Sequence, residues 1–320
     1  AVEISKGIRL AVQTQRKQVT IQPVVISSCL YCESENIKKD GIRHNRNYDI
    51  QRYECKDCNK KFSINIGFEK MHASPHAITS AMQLYFSGES LRSVQRFLSL
   101  QGIEINHTTI YRWIKKYVGL MQEYADNLKP QVSDIWRSDE LFVKVRGNMK
   151  YMYAVMDDDT RYWIAQQVSY NKYTEDVRPM FRNAEDIAGK KPKLLITDGA
   201  PNFHEAWKAE YKAKHVGDKK TEHLRQISMR GMKNNNKMER LNGEVRDREK
   251  VVRGVKSVFS PIFSGSQIYH NFIKPHMGLE GKTPAEACGI KVEGENKWIT
   301  LIQNAKLCQP PTSNRRNSPQ

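Results

Sequence analysis

Apolar residues recur at helical spacing between residues 75 and 127, which predicts a group of short amphipathic helices. A polar break at 87–90 separates the first helix from the second, and Gly102 ends the second. Asn106 or Thr108 is placed to cap the third helix. The buried face of that helix is formed by three apolar side chains: Ile110, Ile114 and Tyr117. We therefore expect three helices whose apolar faces are buried.

The pattern changes to strands after Leu128-Lys-Pro130, where a domain boundary is expected. Three strand-like runs then follow in succession, which predicts an antiparallel meander: 136–145, 150–156 and 161–168. Helical and strand patterns alternate after them: a helix at 174–187, a strand at 194–197, a helix at 202–212, a strand near His215 and a long basic helix from about Asn234. This order indicates an α/β fold, in which a mixed sheet has helices on its faces.

Four of the six cysteines form two pairs, each with two residues between its members. In an intracellular chain such pairs indicate a metal more than disulfides. Both thiolates of a pair can reach one tetrahedral zinc, and four thiolates leave no open position, so a structural Zn²⁺ is predicted. Four unrelated reduced thiols and a redox dithiol are the alternatives. The predicted ligands are Cys29, Cys32, Cys55 and Cys58.

The second and third predicted helices, joined by a turn at Gly102, have the pattern of a helix-turn-helix. The second helix of such a motif presents polar side chains to the major groove, where Thr and Arg suit contacts with phosphates and base edges. Helix packing without DNA is the alternative, and Trp113 is expected to be a core anchor. The candidate DNA contacts are Thr108, Thr109, Arg112 and Lys115.

Three acidic residues are far apart along the chain, but each adjoins apolar sequence. Asp139 lies in the first predicted strand, where its neighbour Glu140 points to the opposite face. Asp198 follows a short apolar strand, at the carboxyl end where open α/β sheets usually form their sites. Glu239 lies on the basic helix and shares a face with Asn235, Asn242 and Arg246. Taken singly, each acid also suits a strand end, a turn or a solvated helix.

The length of the chain indicates how many domains it has, and its charge indicates the kind of partner it binds. The chain has 320 residues, enough for two or three domains. Its formal net charge of +17, from 52 Lys and Arg against 35 Asp and Glu, favours a polyanionic partner. The apolar runs have strand length and the N-terminus has no long apolar stretch, so we expect a soluble, cytoplasmic, DNA-associated protein. Residues 310–320 have the composition of a disordered tail.

The segment from Trp136 to Ile290 resembles the DDE transposases of bacterial and archaeal insertion sequences, within the retroviral-integrase superfamily. The similarity includes Arg246, seven residues after the glutamate, and a zinc ribbon and helix-turn-helix before the catalytic core resemble some members. Stretches 269–276 and 281–287 resemble the end of that family's catalytic domain. The matching sequences around the acids are Ser138-Asp139-Glu140, Thr197-Asp198-Gly199 and Asn234-Asn-Asn-Lys-Met-Glu239-Arg-Leu-Asn242.

The resemblance implies a ribonuclease-H-like domain, with a mixed five-stranded sheet and flanking helices, that transfers phosphoryl groups on DNA. It implies that the catalytic residues Asp139, Asp198 and Glu239 bind two Mg²⁺ or Mn²⁺ ions. Arg246 would contact the DNA backbone, and a plain surface charge in a basic helix is the alternative. The expected partners are double-stranded DNA, namely transposon terminal repeats and target DNA, and further copies of the chain in a homodimer or larger oligomer.

These patterns predict five segments: an N-terminal segment at 1–27, a zinc ribbon at 28–70, a helix-turn-helix domain at 75–127, a DDE catalytic domain at 131–290 and a partly disordered tail at 291–320. The leading hypothesis is an active transposase that cuts and joins DNA strands. A non-catalytic DNA-binding protein derived from a transposase is one alternative. An RNA-cleaving ribonuclease on the same fold is the other.

Overall fold

The computed structural model describes residues 18–24, 27–44, 49–63, 66–213, 220–225 and 236–309. The chain divides into two compact units. The first, which we call the sheet unit, comprises the described residues within 1–20, 88–90 and 125–292. The second, which we call the cysteine unit, comprises those within 21–87, 91–124 and 293–320.

The elements of the described chain are numbered in chain order. The strands are β1 (Val19–Ile21), β2 (Ile37–His44), β3 (Asp49–Cys55), β4 (Lys61–Ser63), β5 (Ile135–Val145), β6 (Asn148–Asp157), β7 (Trp163–Ser169), β8 (Leu194–Thr197), β9 (Glu222–Arg225) and β10 (Ile290–Val292). The α-helices are α1 (Pro75–Ser87), α2 (Leu91–Leu100), α3 (His107–Asn127), α4 (Thr174–Ala188), α5 (Pro201–Glu210), α6 (Asn236–Val252), α7 (Pro261–Ile268), α8 (Pro284–Ala287) and α9 (Lys297–Cys308).

A five-stranded mixed sheet, in the order β7-β6-β5-β8-β9, forms the centre of the sheet unit. β5, β6 and β7 make the antiparallel meander that the alternating pattern predicted. β8 pairs in parallel with β5, and β9 pairs in parallel with β8. The predicted α/β fold class, with a mixed five-stranded sheet and flanking helices, is therefore confirmed.

Helices cover both faces of this sheet. α4 packs against α5 and β7, and the ring of Phe203 on α5 meets Tyr153 of β6 edge to face. α6 packs against β5 through three buried side chains spaced three and four residues apart: Met238, Leu241 and Val245. Asn242 of α6 bonds Asp139, whereas Tyr153, the contact of α5, is the register partner of Glu140, so α6 and α5 lie on opposite faces of the sheet.

Side chains at the end of α7 and just after it cover the edge of strand β7. Asn271 lies in a π-helical turn at Tyr269–Ile273, and its amide bonds both the N–H and the C=O of Trp163. Gln267 donates to the carbonyls of Trp163 and Ile164. These side chains satisfy backbone groups that an open edge would leave to another strand.

In the cysteine unit, β2, β3 and β4 form an antiparallel sheet, and α1, α2 and α3 are the three helices expected from the periodicity. The side chain of Asn106 accepts a hydrogen bond from the Thr108 N–H at 3.0 Å. Asn106 is therefore the cap of α3, as one of the two alternatives predicted. None of the helices in the described residues is long and apolar enough to cross a membrane.

The segment after 291 contains a helix that the sequence analysis did not predict. Residues Lys297–Cys308 form helix α9, which belongs to the cysteine unit. Trp298 donates to the Gln83 side chain at 2.9 Å and stacks on Phe86 of α1. Apolar side chains of α9 are buried against α1, which holds this part of the tail in place. Residues 310–320, whose composition predicted disorder, lie outside the described residues, so that prediction stays a prediction.

One predicted strand and the predicted start of one helix fall on residues that the structure does not describe. The strand expected near His215 falls at 214–219, outside the described residues, and the described strand β9 begins at Glu222. The basic helix was expected from about Asn234. It is described from Asn236, so Asn234 and Asn235 lie outside.

Candidate active site and cysteine metal centre

Two of the three predicted catalytic acids lie at the same level on neighbouring strands. In the parallel pair β5–β8, Arg137 is the register partner of Ile196. Asp139 lies two residues after Arg137, and Asp198 lies two residues after Ile196. The register therefore places the two acids side by side at the carboxyl end of β8. Neighbouring strands lie about 4.8 Å apart. The parallel pairing thus brings together two carboxylates that are distant in sequence.

The electrostatics of Asp139 reflect this neighbour. Burial, followed by the negative charge of Asp198, raises the pKa of Asp139 to about 6, while N–H groups from Glu140 and Asn242 oppose the shift. The Glu140 backbone N–H donates to Asp139 Oδ1 and the Asn242 side chain donates to Oδ2, both at 2.9 Å. The exposed Asp198 accepts the Ala200 N–H at 3.0 Å through Oδ1. A cation between the two carboxylates would offset their repulsion.

Helix α6, which contacts Asp139, carries the third acid. Asn242 is buried and fixes the helix to Asp139, and Glu239 lies three residues earlier, exposed, in the first turn. Residues three apart share a helix flank. Glu239 therefore lies on the flank that faces Asp139. Within the described part of the chain, only the four cysteines discussed below bring their ligand atoms close enough together to hold a metal ion, and the three acids do not form such a group in this structure.

The opposite faces of β5 separate Asp139 from its neighbour, as the strand geometry predicted. Glu140 forms an ion pair with Lys172 and lies opposite Tyr153 in the sheet register. Its carboxylate is engaged there, so only Asp139 of the pair is available to the site. On the Asp139 face, Arg137 forms an ion pair with Asp158.

Asp158 also accepts the ammonium of Lys237, at 3.0 Å, and thereby joins the turn after β6 to the start of α6. Both partners are cations, and they hold the pKa of Asp158 below its usual range although burial opposes this. This ion-pair network orients the first turn of α6, on which Glu239 lies.

The predicted DNA contacts are found on two helices. Arg246 is exposed on α6, seven residues after Glu239 and on the same flank. On α3 the side chains of Thr108, Arg112 and Lys115 are exposed, and that of Thr109 is half-buried. Trp113 is buried, as expected of a core anchor. The arrangement leaves these polar groups available on the surface of each unit, and their contact with DNA stays a prediction.

The four paired cysteines converge on one centre in the cysteine unit. Their sulfur atoms all lie within 4.8 Å of one another, and the Cys29–Cys58 and Cys32–Cys55 pairs are each 3.6 Å apart. A tetrahedral zinc with bonds of about 2.3 Å requires sulfur atoms about 3.8 Å apart. The donor set and its spacing therefore fit one zinc ion.

Backbone N–H groups favour the thiolate form of Cys55, whereas at Cys32 the Ser34 N–H is outweighed by contacts with the other three cysteines, which raise the pKa of its thiol to about 12 in the metal-free cluster. The N–H groups of Cys58 and Asp57 point at the Cys55 sulfur and lower the pKa of this thiol to about 7. The thiolate is the form that binds metal. Phe62 is buried beside Cys29 and Cys55, and Tyr53 stacks on Phe62, so aromatic rings enclose the sulfur cluster.

Sequence reasoning did not assign a role to Asn242, although it placed this residue on the Glu239 face. It also missed a pair of histidines behind Asp198. His223 lies 2.9 Å from the Thr197 hydroxyl through Nε2 and 3.1 Å from His204 Nδ1 through its own Nδ1. No local spacing could reveal this pair, because α5 and β9 meet only in the folded sheet.

The five-stranded mixed sheet with flanking helices, and the two carboxylates side by side on β5 and after β8, are the features that the resemblance predicted. A family model described as a DDE domain, of the IS240 transposase type, matches residues 133–276. This segment contains all three predicted catalytic acids and Arg246. Residues 133–276 are thus a DDE domain of the kind found in insertion-sequence transposases, and the resemblance inferred from the sequence is confirmed.

Two curated relatives show the extent of the similarity. The transposase for insertion sequence-like element IS431mec of Staphylococcus aureus is 24% identical over 116 residues, which cover 35% of this chain and 50% of that protein. The insertion element ISM1 uncharacterized 48.3 kDa protein of Methanobrevibacter smithii is 25% identical over 232 residues, 61% of this chain and 57% of that protein. The chain spans about half the length of the curated relatives it matches.

Among solved structures, the chain is similar to the HTLV-2 integrase catalytic core domain in complex with magnesium. The identity is 14% and the TM-score is 0.34, and the match covers 49% of this chain and 94% of that one.

Proposed function

We propose that this chain is a DNA transposase that cleaves DNA strands and joins the ends to target DNA through Asp139, Asp198 and Glu239. The observation that supports the proposal most directly is the β5–β8 register, which sets Asp139 and Asp198 side by side. The DDE domain match over 133–276 adds the reaction class. The intact acids favour this function over a non-catalytic DNA-binding descendant.

The three acids are suited to hold two divalent cations, Mg²⁺ or Mn²⁺. Carboxylate oxygens are hard ligands that Mg²⁺ prefers, and such a cation would relieve the repulsion that helps to raise the Asp139 pKa to about 6. Two bound ions activate the attacking oxygen and stabilise the leaving oxygen of an in-line displacement. Asp139 and Asp198 would hold them from the sheet, and Glu239 from α6.

The protein's own part in the reaction is to keep these carboxylates in place. The Glu140 N–H and the Asn242 amide orient Asp139, and the Ala200 N–H orients Asp198. The second oxygen of Asp198 and the exposed carboxylate of Glu239 then remain for the ions. Such prior orientation is needed because an active site must hold its ligands within a fraction of an ångström.

The remaining predicted features fit the same function. Cys29, Cys32, Cys55 and Cys58 would bind one structural zinc, because their spacing matches a tetrahedron of thiolates. Polar surface residues of α3 would contact the transposon terminal repeats, and Arg246 the DNA near the acids. We expect two or more copies of the chain on DNA, because both ends of an element must be processed together.

The first prediction concerns the acids. Asp139→Asn, Asp198→Asn and Glu239→Gln should each lower Mg²⁺-dependent strand cleavage by at least about a hundredfold, because metal ions supply several kcal/mol of transition-state stabilisation and about 1.36 kcal/mol is tenfold in rate. DNA binding should remain. The measurement is cleavage and strand transfer of a labelled DNA fragment carrying the end of the element, with and without Mg²⁺.

Asp247→Asn provides the matched control, since Asp247 is an exposed acid on the same helix that pairs with Lys250. Its cleavage rate should equal that of the wild type. A substituted triad residue that cuts at the wild-type rate does not belong to the site. A wild-type chain that binds the end fragment without cutting it would be the non-catalytic DNA-binding protein.

A further inference from the structure

A cavity of about 210 Å³ lies beside α6 in the sheet unit and takes no part in the proposed cation site. Its lining includes Arg161, Lys237, Arg240, His270 and His276. Successive helix residues are about 100° apart, so Lys237 and Arg240 lie on the opposite flank of α6 from Glu239 and Asn242. The helix thus has an acidic-site flank and a basic-cavity flank.

The cavity has an excess of positive charge. The carboxylate in the cavity lining belongs to Glu244, and it pairs with Lys274 at 2.7 Å and with His270 at 3.1 Å. Lys237 is paired with Asp158. Across the described ranges of the chain, the guanidinium groups of Arg161 and Arg240 have no carboxylate partner within 4.0 Å. Two uncompensated cations in a recess attract an anion.

His270 lies at the wall of this cavity and holds the backbone of Arg161. Its Nε2 lies 3.0 Å from the Arg161 carbonyl oxygen, and its Nδ1 lies 3.1 Å from the Glu244 carboxylate. Both neighbours only accept hydrogen bonds, so the ring satisfies them together when both nitrogens bear protons. His270 is buried, and its two hydrogen bonds join the backbone of Arg161 to Glu244 at the wall of the cavity.

A second observation indicates that a ligand belongs in the cavity. His276 is only 6% exposed, and its Nε2 atom has no hydrogen-bond partner among the described residues. A buried polar atom without a partner is costly unless something else satisfies it. Burial and the positive His270 hold the pKa of His276 to about 4 in the ligand-free protein. An anion in the cavity would favour the protonated ring, which donates from Nε2.

The backbone of Arg161 is held in an unusual conformation. It has φ of 57°, the left-handed region that a non-glycine residue rarely adopts, directly after the turn at 157–160. Its guanidinium lies against Gly278, where a Cβ atom would overlap it. The hydrogen bond from His270 holds the backbone of Arg161, and the planar fork of its guanidinium, which suits phosphate oxygens, lies beside Gly278.

We propose that this cavity binds a phosphate group of the DNA backbone through Arg161, Arg240 and His276. The inference rests on the proposed function, because it takes DNA as the substrate. A helix about 10 Å across separates the cavity from the acids, so the bound phosphate is a neighbour of the reacting one. The cavity fixes the position of the DNA and does not take part in the chemistry.

The test compares substitutions that differ in the charge they remove. Arg161→Gln and Arg240→Gln should each weaken binding of a fluorescent duplex by about tenfold and reduce the slope of log affinity against log salt by about 1. Gly278→Ala keeps every charge but displaces the Arg161 guanidinium, and it should weaken binding by about threefold or more. Lys208→Gln is the control, because it removes one exposed charge on α5 that pairs with Glu205.

The outcomes separate the two proposals. Arginine variants that lose no more affinity than Lys208→Gln, together with an unchanged Gly278→Ala, would overturn the cavity inference. Thermal unfolding checks the fold of each variant, and Arg240→Gln, an exposed position, keeps the test valid if Gly278→Ala misfolds. Inorganic phosphate that shifts the His276 ring signals while DNA binding is insensitive to the variants also overturns it, because the site then binds only a free anion.

Cleavage kinetics provide the second distinction. The cavity variants should raise KM for DNA and leave kcat within about threefold, because they remove binding that is the same in the ground and transition states. Loss of the triad should lower kcat. If Asp139→Asn still cuts, the proposed function fails whatever the cavity variants do. If the cavity variants lower kcat without changing KM, the positioning role is wrong.

Discussion

Asp139 shows how the function of a single residue can lower the stability of the fold. Its carboxylate is half-buried beside Asp198, and its two oxygens accept N–H groups from Glu140 and Asn242. The NH₂ group of Asn242 donates to Asp139, but its Oδ1 atom is buried with no hydrogen-bond partner among the described residues. A chain that needed only a stable fold would not place a charge there.

The second prediction follows from this cost. Asp139→Asn should stabilise the Mg²⁺-free protein near neutral pH by on the order of 1–3 kcal/mol, since the pKa rises from 3.8 to about 6 and one pKa unit is about 1.36 kcal/mol. The introduced amide can accept the Glu140 N–H through its oxygen and donate its NH₂ to Oδ1 of Asn242 once the Asn242 amide flips. Urea unfolding without added divalent cation measures the change.

The sign depends on pH. An acid with a raised folded pKa destabilises the fold as the pH rises from 3.8 through about 6, so the gain should vanish below about pH 4. Asp247→Asn, at an exposed position, should leave the stability nearly unchanged at both pH values. A variant less stable than wild type near neutral pH would show that the hydrogen bonds of the carboxylate outweigh its burial.

At the scale of elements, the sheet β2–β3–β4 depends on its sulfur centre. Its buried hydrophobic cluster consists of Cys29, Cys55 and Phe62, with a few half-buried neighbours. So small a core cannot offset the conformational entropy of ordering the segment. Metal binding to four thiolates supplies about 10–16 kcal/mol in small zinc modules, which is enough to do so.

The third prediction is that Cys55→Ser abolishes stoichiometric zinc binding and unfolds this small sheet. Hydrogen exchange should show loss of protection in β2 and β3, with β5 and β6 of the sheet unit unaffected. Cys308→Ser is the matched control, because Cys308 is an exposed cysteine outside the cluster. Retained protection in β2 and β3 of metal-free Cys55→Ser would show that the sheet folds without the ion.

Helix α6 has three functions on three sides. Met238, Leu241 and Val245 bury it against the sheet, and the flank with Glu239 and Asn242 faces the acids. The third side, with Lys237 and Arg240, lines the basic cavity. The helix can serve all three because its packing side lies between the two polar flanks, so a shift of the helix would disturb the acids and the cavity together.

At the scale of the whole molecule, the net charge of +17 opposes compaction as the pH falls, because protonation of the acids leaves the basic groups unbalanced. Glu244 is one of the acids that stay ionised to a lower pH than usual. Burial opposes its ionisation, yet hydrogen bonds and charges from His270 and Lys274 outweigh burial and lower the pKa to about 2.

The fourth prediction concerns acid unfolding. A lowered folded pKa gives stability that is present above the unfolded value of 4.5 and is lost as the pH falls toward about 2. Glu244→Gln should therefore cost on the order of 2–3 kcal/mol near neutral pH and have a smaller loss of stability between pH 4.5 and 2 than the wild type. Urea unfolding across this range tests it, with Glu205→Gln as the exposed control.

Parallel stability curves for Glu244→Gln and wild type would contradict the assigned role of Glu244. Its partners come from the loop and turn after α7, so the same measurement reports on how that segment is held in the sheet unit.

The sequence by itself determined the features that depend on neighbouring residues along the chain. Alternation over 136–168 predicted the meander, and helical spacing predicted α1 to α3, because both periods repeat within a few residues. The CxxC pairs predicted the sulfur cluster for the same reason. Resemblance at the three acids supplied the family, which the domain match confirmed.

Tertiary structure alone decided which distant groups meet. The β5–β8 register put Asp198 beside Asp139, and the docking of α6 put Asn242 on Asp139. It also packed α9 on α1 and formed the basic cavity between α6, Arg161 and the two histidines His270 and His276. These contacts join residues far apart in sequence, and their geometry follows from how strands pair and helices pack, which no local period records.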